Sequence, residues 1–470
     1  MSELTAYIDQ HKGRFLEELF EFIRIPSVST TPERAGDVRR CAEWLRDNLT
    51  GVGFEAVELV ATDGHPIVLA ELIADPDAPT VLIYGHYDVQ PSEPDELWTT
   101  PAFEPTVRDG RLYARGSVDD KGQVFMHLKA IEARLATGAG MPVNVKLVIE
   151  GEEEVGSKNL DAFIAANRER LACDAVLISD TTMYSPQLPC ITVGLRGISY
   201  MEVRVTGPTK DLHSGSYGGA VANPANALAT MIAGLRDERG RITIPGFYDR
   251  VCEISPEERD GLSRLPVDEE AIRVDVGAPE LAGGEAGMTM LERLWYRPTL
   301  DVNGLLSGFT GEGAKTVLPS TAMAKVSMRL VPDQDSGEIA DRFAEHVRGL
   351  APPGVTVEVV AFHGGEPWVA QTGGPFYEAA MAALRDGFEA EPVFIREGGS
   401  IPIVPMFEET FDAPAVLLGF GLPGSNPHAP DEWLDLEVFE KGIAALAALH
   451  DQIAATDSRP RSGSSSRSPG

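Results

Sequence analysis

Apolar residues recur at helical spacing over residues 4–22 and again over 37–49. A short apolar run at 81–84 then ends in Gly85 and predicts a buried strand. The alternation continues with a helix over 121–135, a strand over 143–149, a helix over 160–169 and a strand over 175–179. Strands separated by helices predict an α/β domain with a mostly parallel sheet.

The pattern changes in the middle of the chain. Residues 198–206 alternate apolar and polar, as a half-exposed strand does, and a helix is predicted over 224–235. After a long irregular stretch come a strand over 322–330, a helix over 337–350 and a strand over 355–361, the pattern of a smaller α+β domain. The α/β character returns with a helix over 374–386, a strand over 414–418 and a helix over 436–454. The expected organisation is therefore discontinuous. A first domain takes residues 1–195 and 373–457, and an inserted domain takes 196–372. The Ser-, Arg-, Pro- and Gly-rich stretch 458–470 is expected to be a disordered tail.

Composition narrows the function more by exclusion. With 40 Lys and Arg against 72 Asp and Glu, the formal charge is −32, a field that repels nucleic acid and anionic lipid. No run of about 18 apolar residues predicts a membrane span, and the first ten residues lack the apolar core of a signal peptide. Cys41, Cys173, Cys190 and Cys252 are too scattered for a thiolate zinc site or a disulfide framework, so a reducing, cytoplasmic setting is expected.

Candidate chemistry sits where the predicted strands end. Strand 81–84 runs into Gly85-His86-Tyr87-Asp88, strand 143–149 into Glu150-Gly151-Glu152-Glu153-Glu154, and strand 175–179 into Asp180. Asp119 and Asp120 precede the helix at 121. Ligands of open α/β sheets bind beyond the carboxyl ends of strands. Crowded carboxylates repel one another unless protons or cations neutralise them, and imidazole with carboxylate suits zinc, manganese or a similar cation. His86 supplies one imidazole. For a second, His213, His363 and His428 stand in Gly- or Pro-marked segments, whereas His11, His127, His346 and His450 fall within helical patterns.

The ordered motifs carry a resemblance that extends from Gly85 to beyond His428. They are Tyr84-Gly85-His86-Tyr87-Asp88-Val89-Gln90-Pro91, Glu153-Glu154-Val155-Gly156-Ser157, Asp211-Leu212-His213-Ser214-Gly215, Arg329-Leu330-Val331-Pro332, His363-Gly364-Gly365 and Arg396-Glu397-Gly398-Gly399-Ser400-Ile401-Pro402. The chain resembles the superfamily of zinc aminopeptidase-like exopeptidases and deacylases that contains carnosinase, glutamate carboxypeptidase, aminoacylase-1 and succinyl-diaminopimelate desuccinylase. Within it, the chain is similar to the carnosinase-like, cytosolic non-specific dipeptidase group.

That resemblance implies a zinc exopeptidase-like catalytic domain with an inserted lid and dimerisation domain. It also implies two divalent metal ions per subunit, zinc or else manganese or cobalt. His86 and Asp180 would bind one, Glu154 and His428 the other, and Asp119 would bridge them. Asp88 would hydrogen-bond His86, and Glu153 would be the general base. His213, supplied by the other subunit of a homodimer, would stabilise the oxyanion. Arg329 would grip a substrate carboxylate with Thr316, His363 and Ser400, and Glu397 would line the same cleft. A cis peptide is expected at Asp119–Asp120. The implied substrate is a small peptide, with an N-acyl amino acid as the alternative.

Overall fold

The strand that leads to the first histidine, Thr80–His86, is buried along all but its first residue. It forms the centre of the larger sheet in this computed structural model, which describes residues 3–399 and 401–456. The side chain of His363, residue 400 and the tail 458–470 lie outside the described residues.

The chain divides into two compact units. The described residues of Met1–Val193, Ala370–Ile395 and Met406–Gly470 form the first, and Gly194–Val369 with Arg396–Pro405 the second. The sequence reading gave all of 373–457 to the first domain. The short segment Arg396–Pro405 instead groups with the second, because the chain crosses from one unit to the other twice more than its periodicity discloses.

In the larger sheet the strands Ala56–Val60, Ile67–Leu72, Asn144–Glu150, Thr80–His86, Ala175–Ile178, Ala415–Leu417 and Cys190–Leu195 lie side by side in that order. The middle of the sheet is parallel, from Asn144–Glu150 to Ala415–Leu417. Its margins are antiparallel. Parallel strands covered on both faces read as apolar runs, which is why 81–84 and 175–179 were legible, while 143–149 is apolar apart from Asn144 and Lys146. The helix Lys121–Ala136 is buried nearly all round because Glu3–Ile23, Ala35–Val52 and Leu436–Ala455 pack against it. Register sets the site: His86 pairs with Glu150, and Tyr84 with Ile178. Two residues beyond Ile178, Asp180 therefore leaves the sheet at the edge where His86 stands.

The second unit is an antiparallel sheet ordered Thr299–Ser307, Thr321–Leu330, Gly197–Thr206, Thr356–Gly365. One face packs on the helices Pro224–Ala233 and Ser336–Gly349 through Met201, Val203, Val326, Met328, Leu228, Met231, Phe343 and Val347. Ile339, Phe343 and Val347 repeat every four residues along their helix, so one stripe is buried. Asn223 and Asp335 cap the two helices by accepting the backbone N–H of Ala225 and Glu338. His363 belongs to the strand Thr356–Gly365, where the Gly pair that follows it had suggested a loop. Among the described residues, no helix is long and apolar enough to cross a membrane.

Candidate metal centre

Local structure explains how the site residues are held. The peptide Asp119–Asp120 is cis, and the chain turns directly into the helix at Lys121. Gly122 makes that turn possible, since a Cβ there would lie 1.9 Å from the Ser117 carbonyl oxygen. The Asp120 carboxylate accepts the His86 N–H at 3.2 Å. Beyond the strand Asn144–Glu150, Glu153 and Glu154 begin a short 3₁₀ turn. Both of their N–H groups donate to the Asp88 carboxylate, at 3.2 and 3.1 Å.

The side chains converge about Asp119. One of its oxygens, Oδ1, lies 3.1 Å from His86 Nε2, and the other, Oδ2, lies 2.9 Å from His428 Nε2. Asp180 approaches His86 Nε2 at 3.8 Å, and Glu154 approaches His428 Nε2 at 3.2 Å. Two ligand groups result, His86–Asp119–Asp180 and Asp119–Glu154–His428, each with its ligand atoms within 4.8 Å of one another. The shared carboxylate faces both histidines, which is the arrangement of a bridging ligand.

The donor set fits divalent cations. His86 is fully buried, and its Nε2, although 3.1 Å from Asp119 Oδ1, makes no well-aligned hydrogen bond among the described residues. An imidazole nitrogen left unsatisfied in the interior is costly unless something else binds it. The electrostatics agree. Burial opposes charging His86, but Asp119, Asp180 and Asp88 outweigh it and hold the imidazole well above its ordinary pKa. Asp119 and Glu154 push His428 up to about 10. Asp119 itself is held below the usual carboxylate range, because the two histidines outweigh its burial. Burial pushes Asp180 up to about 6 and raises Asp120 and Glu153 well above their ordinary values, with the neighbouring carboxylates adding to each shift. Acids and imidazoles raised together mark an excess of negative charge that cations relieve.

One expected contact is made differently. His86 Nδ1 is hydrogen-bonded to the backbone carbonyl of Asp88 at 3.1 Å, while the carboxylate Oδ1 stands 3.4 Å away. The Asp88 side chain is occupied by the N–H groups of Glu153 and Glu154, so it orients the turn that carries the glutamates. The imidazole keeps an acceptor on Nδ1 either way, which fixes Nε2 as the ligand nitrogen.

The remaining candidates lie in the second unit. His213 is exposed in the short strand Leu212–His213, and its Nδ1 accepts the Gly215 N–H at 3.1 Å. Thr316 sits beside it, its carbonyl accepting the Ser214 N–H. Arg329 lies near the end of Thr321–Leu330, between Thr299 and Ile198, where burial lowers its pKa. Glu397 ends the strand Val393–Glu397. Sequence reasoning overlooked several supporting groups: Gln90, which donates to Glu154 at 2.7 Å; Glu150, which accepts from Tyr84 and Ser157; and Glu432. Gln90 stands inside a motif already singled out, while Glu432 gives no local signal.

A carboxylate shared by two imidazoles, with two further carboxylates and a half-buried glutamate beside it, defines a metal-dependent hydrolase centre. The model for peptidase family M20/M25/M40 matches residues 82–452, and the chain belongs to that family. It is 34% identical to the Cys-Gly metallodipeptidase dug1 of Schizosaccharomyces pombe over 97% of this chain and 98% of that protein. It is 32% identical to the Beta-Ala-His dipeptidase of Homo sapiens over 97% and 93% of the two chains. The solved structure of the di-peptidase Dug1p from Saccharomyces cerevisiae superposes with a TM-score of 0.85 at 30% identity, covering 97% of this chain and 98% of that one.

Proposed function

We propose that this protein hydrolyses the peptide bond of dipeptides and short peptides at a pair of divalent cations, zinc ions in our reading, with manganese or cobalt able to replace them. The observation that carries this reading is the Asp119 carboxylate, which turns one oxygen to His86 and the other to His428 beside a half-buried Glu153. His86 and Asp180 would hold one ion, Glu154 and His428 the other, and Asp119 would be shared by both. When bound, the ions would supply Lewis acidity. Glu153 would take a proton from the attacking water and return it to the leaving amine. Burial raises its pKa, which strengthens it as a base. Asp88 keeps Glu153 and Glu154 in register through their two N–H groups.

In this reading Arg329 grips the substrate's terminal carboxylate, for which a guanidinium fork is the matching partner. Thr316, His363, Glu397 and Ser400 complete the recognition. His213 stabilises the oxyanion and comes from the second subunit of a homodimer. Two observations support the dimer: His213 is exposed, and the edge strand Thr299–Ser307 together with Phe309 presents Val302, Leu305, Leu306 and Phe309 to solvent. The four cysteines are free, as suits a cytoplasmic enzyme.

The experiment is metal analysis paired with hydrolysis of a dipeptide panel and of N-acyl amino acids. Two ions per chain, activity lost to a chelator and restored by zinc or manganese, and faster turnover of dipeptides are expected. Faster turnover of the acyl substrates reassigns the same centre to deacylation.

A further inference from the structure

Glu432 lies four residues beyond His428 and is completely buried, yet it belongs to neither ligand group. Its carboxylate accepts four hydrogen bonds from one stretch of chain, the stretch that ends at Asp119. Oε2 takes the Arg115 guanidinium at 2.7 Å and the Gly116 N–H at 3.0 Å. Oε1 takes the N–H of Val118 at 2.9 Å and of Asp119 at 3.1 Å. Each oxygen thus has both of its acceptor positions filled, and the charge is matched by Arg115, itself buried, bonded to the Pro91 carbonyl and placed over the Trp98 ring. A buried carboxylate so completely satisfied has one geometry available to it.

The other side of this anchor is the segment that presents His428. His428 has a left-handed backbone, φ 61°, as do Asn426 and Asp431 at φ 56°. Such residues hold that conformation only where the surroundings over-determine it. Here the surroundings are the Trp433 N–H on the Ser425 carbonyl, the Asp431 carboxylate on Thr99, and the pairing of Trp433–Asp435 with Arg111–Tyr113. Glu432 is the point at which the His428 segment and the Asp119 segment are joined.

We propose that Glu432 is a positioning residue for the metal centre: by binding the N–H groups that lead into Asp119, it sets the separation between the bridging carboxylate and His428. It touches neither substrate nor reacting atoms. Outer partners that orient ligands in this way govern metal affinity. The inference rests on the two-ion reading above and extends it to the residue that spaces the ligands.

The test is Glu432→Gln in the full-length enzyme, titrated with Zn²⁺ after chelation, with kcat and KM followed across the same metal range. The amide retains one acceptor oxygen but turns N–H donors toward the donors of Arg115 and Gly116. One of the two zinc equivalents is expected to bind about 10- to 100-fold more weakly, with the other nearly unchanged. At saturating zinc, kcat should return to near wild type with KM unaltered. Wild-type affinity for both equivalents overturns the inference, whether the variant merely melts earlier or stays inactive at saturating zinc. If Glu432→Gln does not fold, Glu432→Asp carries the test: it keeps the charge, shortens the reach and is expected to weaken the same equivalent by a smaller factor. A wild-type chain that takes up no second equivalent removes the two-ion reading itself, an outcome distinct from two equivalents that Glu432 does not influence.

Discussion

The two units hold their candidate residues in opposite ways. In the first, His86, Glu153, Glu154, Asp180 and His428, from widely separated stretches, meet around the Asp119 carboxylate, and the backbone N–H groups of His86, Asp119, Glu153 and Glu154 are held by the carboxylates of Asp120, Glu432 and Asp88. In the second, His213 is exposed and Arg329 sits in a different sheet from it. The first unit is organised to hold charge in fixed positions, which metal chemistry requires. The second keeps its polar groups where a ligand can reach them. Removing a residue of the first unit should therefore abolish chemistry or metal, while removing one of the second should leave the metal in place and weaken only what substrate contributes.

The largest effect is expected for Glu153→Gln, which preserves shape but removes the base. It should lower kcat by about 10³- to 10⁴-fold while both ions remain bound, as metal analysis would report. Full activity in this variant would remove Glu153 from the mechanism. Next comes His213→Ala, with a loss of about 10²- to 10³-fold in kcat if this imidazole meets the oxyanion. Mixed with Glu153→Gln and allowed to exchange subunits, it should regain about one quarter of wild-type activity, because in a two-fold dimer only sites pairing the two intact residues work. No recovery in the mixture would assign His213 to its own chain's site or to none. Arg329→Met is expected to cost about 1.5–3 kcal/mol of binding, seen as a raised KM with kcat little changed. An unchanged KM would free Arg329 from substrate recognition.

The smallest effect concerns stability within the first unit. Burial pushes the pKa of His127 and His450 down to about 3, and His450 has neither ring nitrogen hydrogen-bonded among the described residues. An unfolded chain protonates these imidazoles near pH 6.5, whereas the folded one stays neutral to about pH 3. Stability is thus fully present above about pH 6.5 and falls on acidification, by about 1.4 kcal/mol per pH unit for each histidine. Unfolding of His450→Leu, followed between pH 6.5 and 5, should show a slope shallower by that amount. An identical slope would mean that His450 titrates alike folded and unfolded.

Much of the first unit was legible because its central strands are mainly apolar and end in clusters of polar residues. His86, Asp180 and the glutamates after Glu150 were found in that way. The strand Cys190–Leu195 was overlooked although its sequence is apolar, because no helix separates it cleanly from the next strand, Gly197–Thr206. The edge strand Thr299–Ser307 was overlooked because its outward residues include Leu305 and Leu306, which break the alternation expected of a half-buried strand. The small helices Pro256–Arg264, Glu269–Asp275 and Met290–Trp295 are too short for periodicity to declare them.

By itself the sequence determined the alternation of strands and helices and the residue types at the strand ends. Each of these follows from local periodicity and from where polar residues interrupt it. The choice of His428 as second imidazole rested on resemblance, and only the tertiary structure brought it to 2.9 Å from Asp119. Glu432 was invisible until the chain had folded. A buried carboxylate is defined by the donors around it, and those donors, from Arg115 to Asp119, lie more than 300 residues away along the chain.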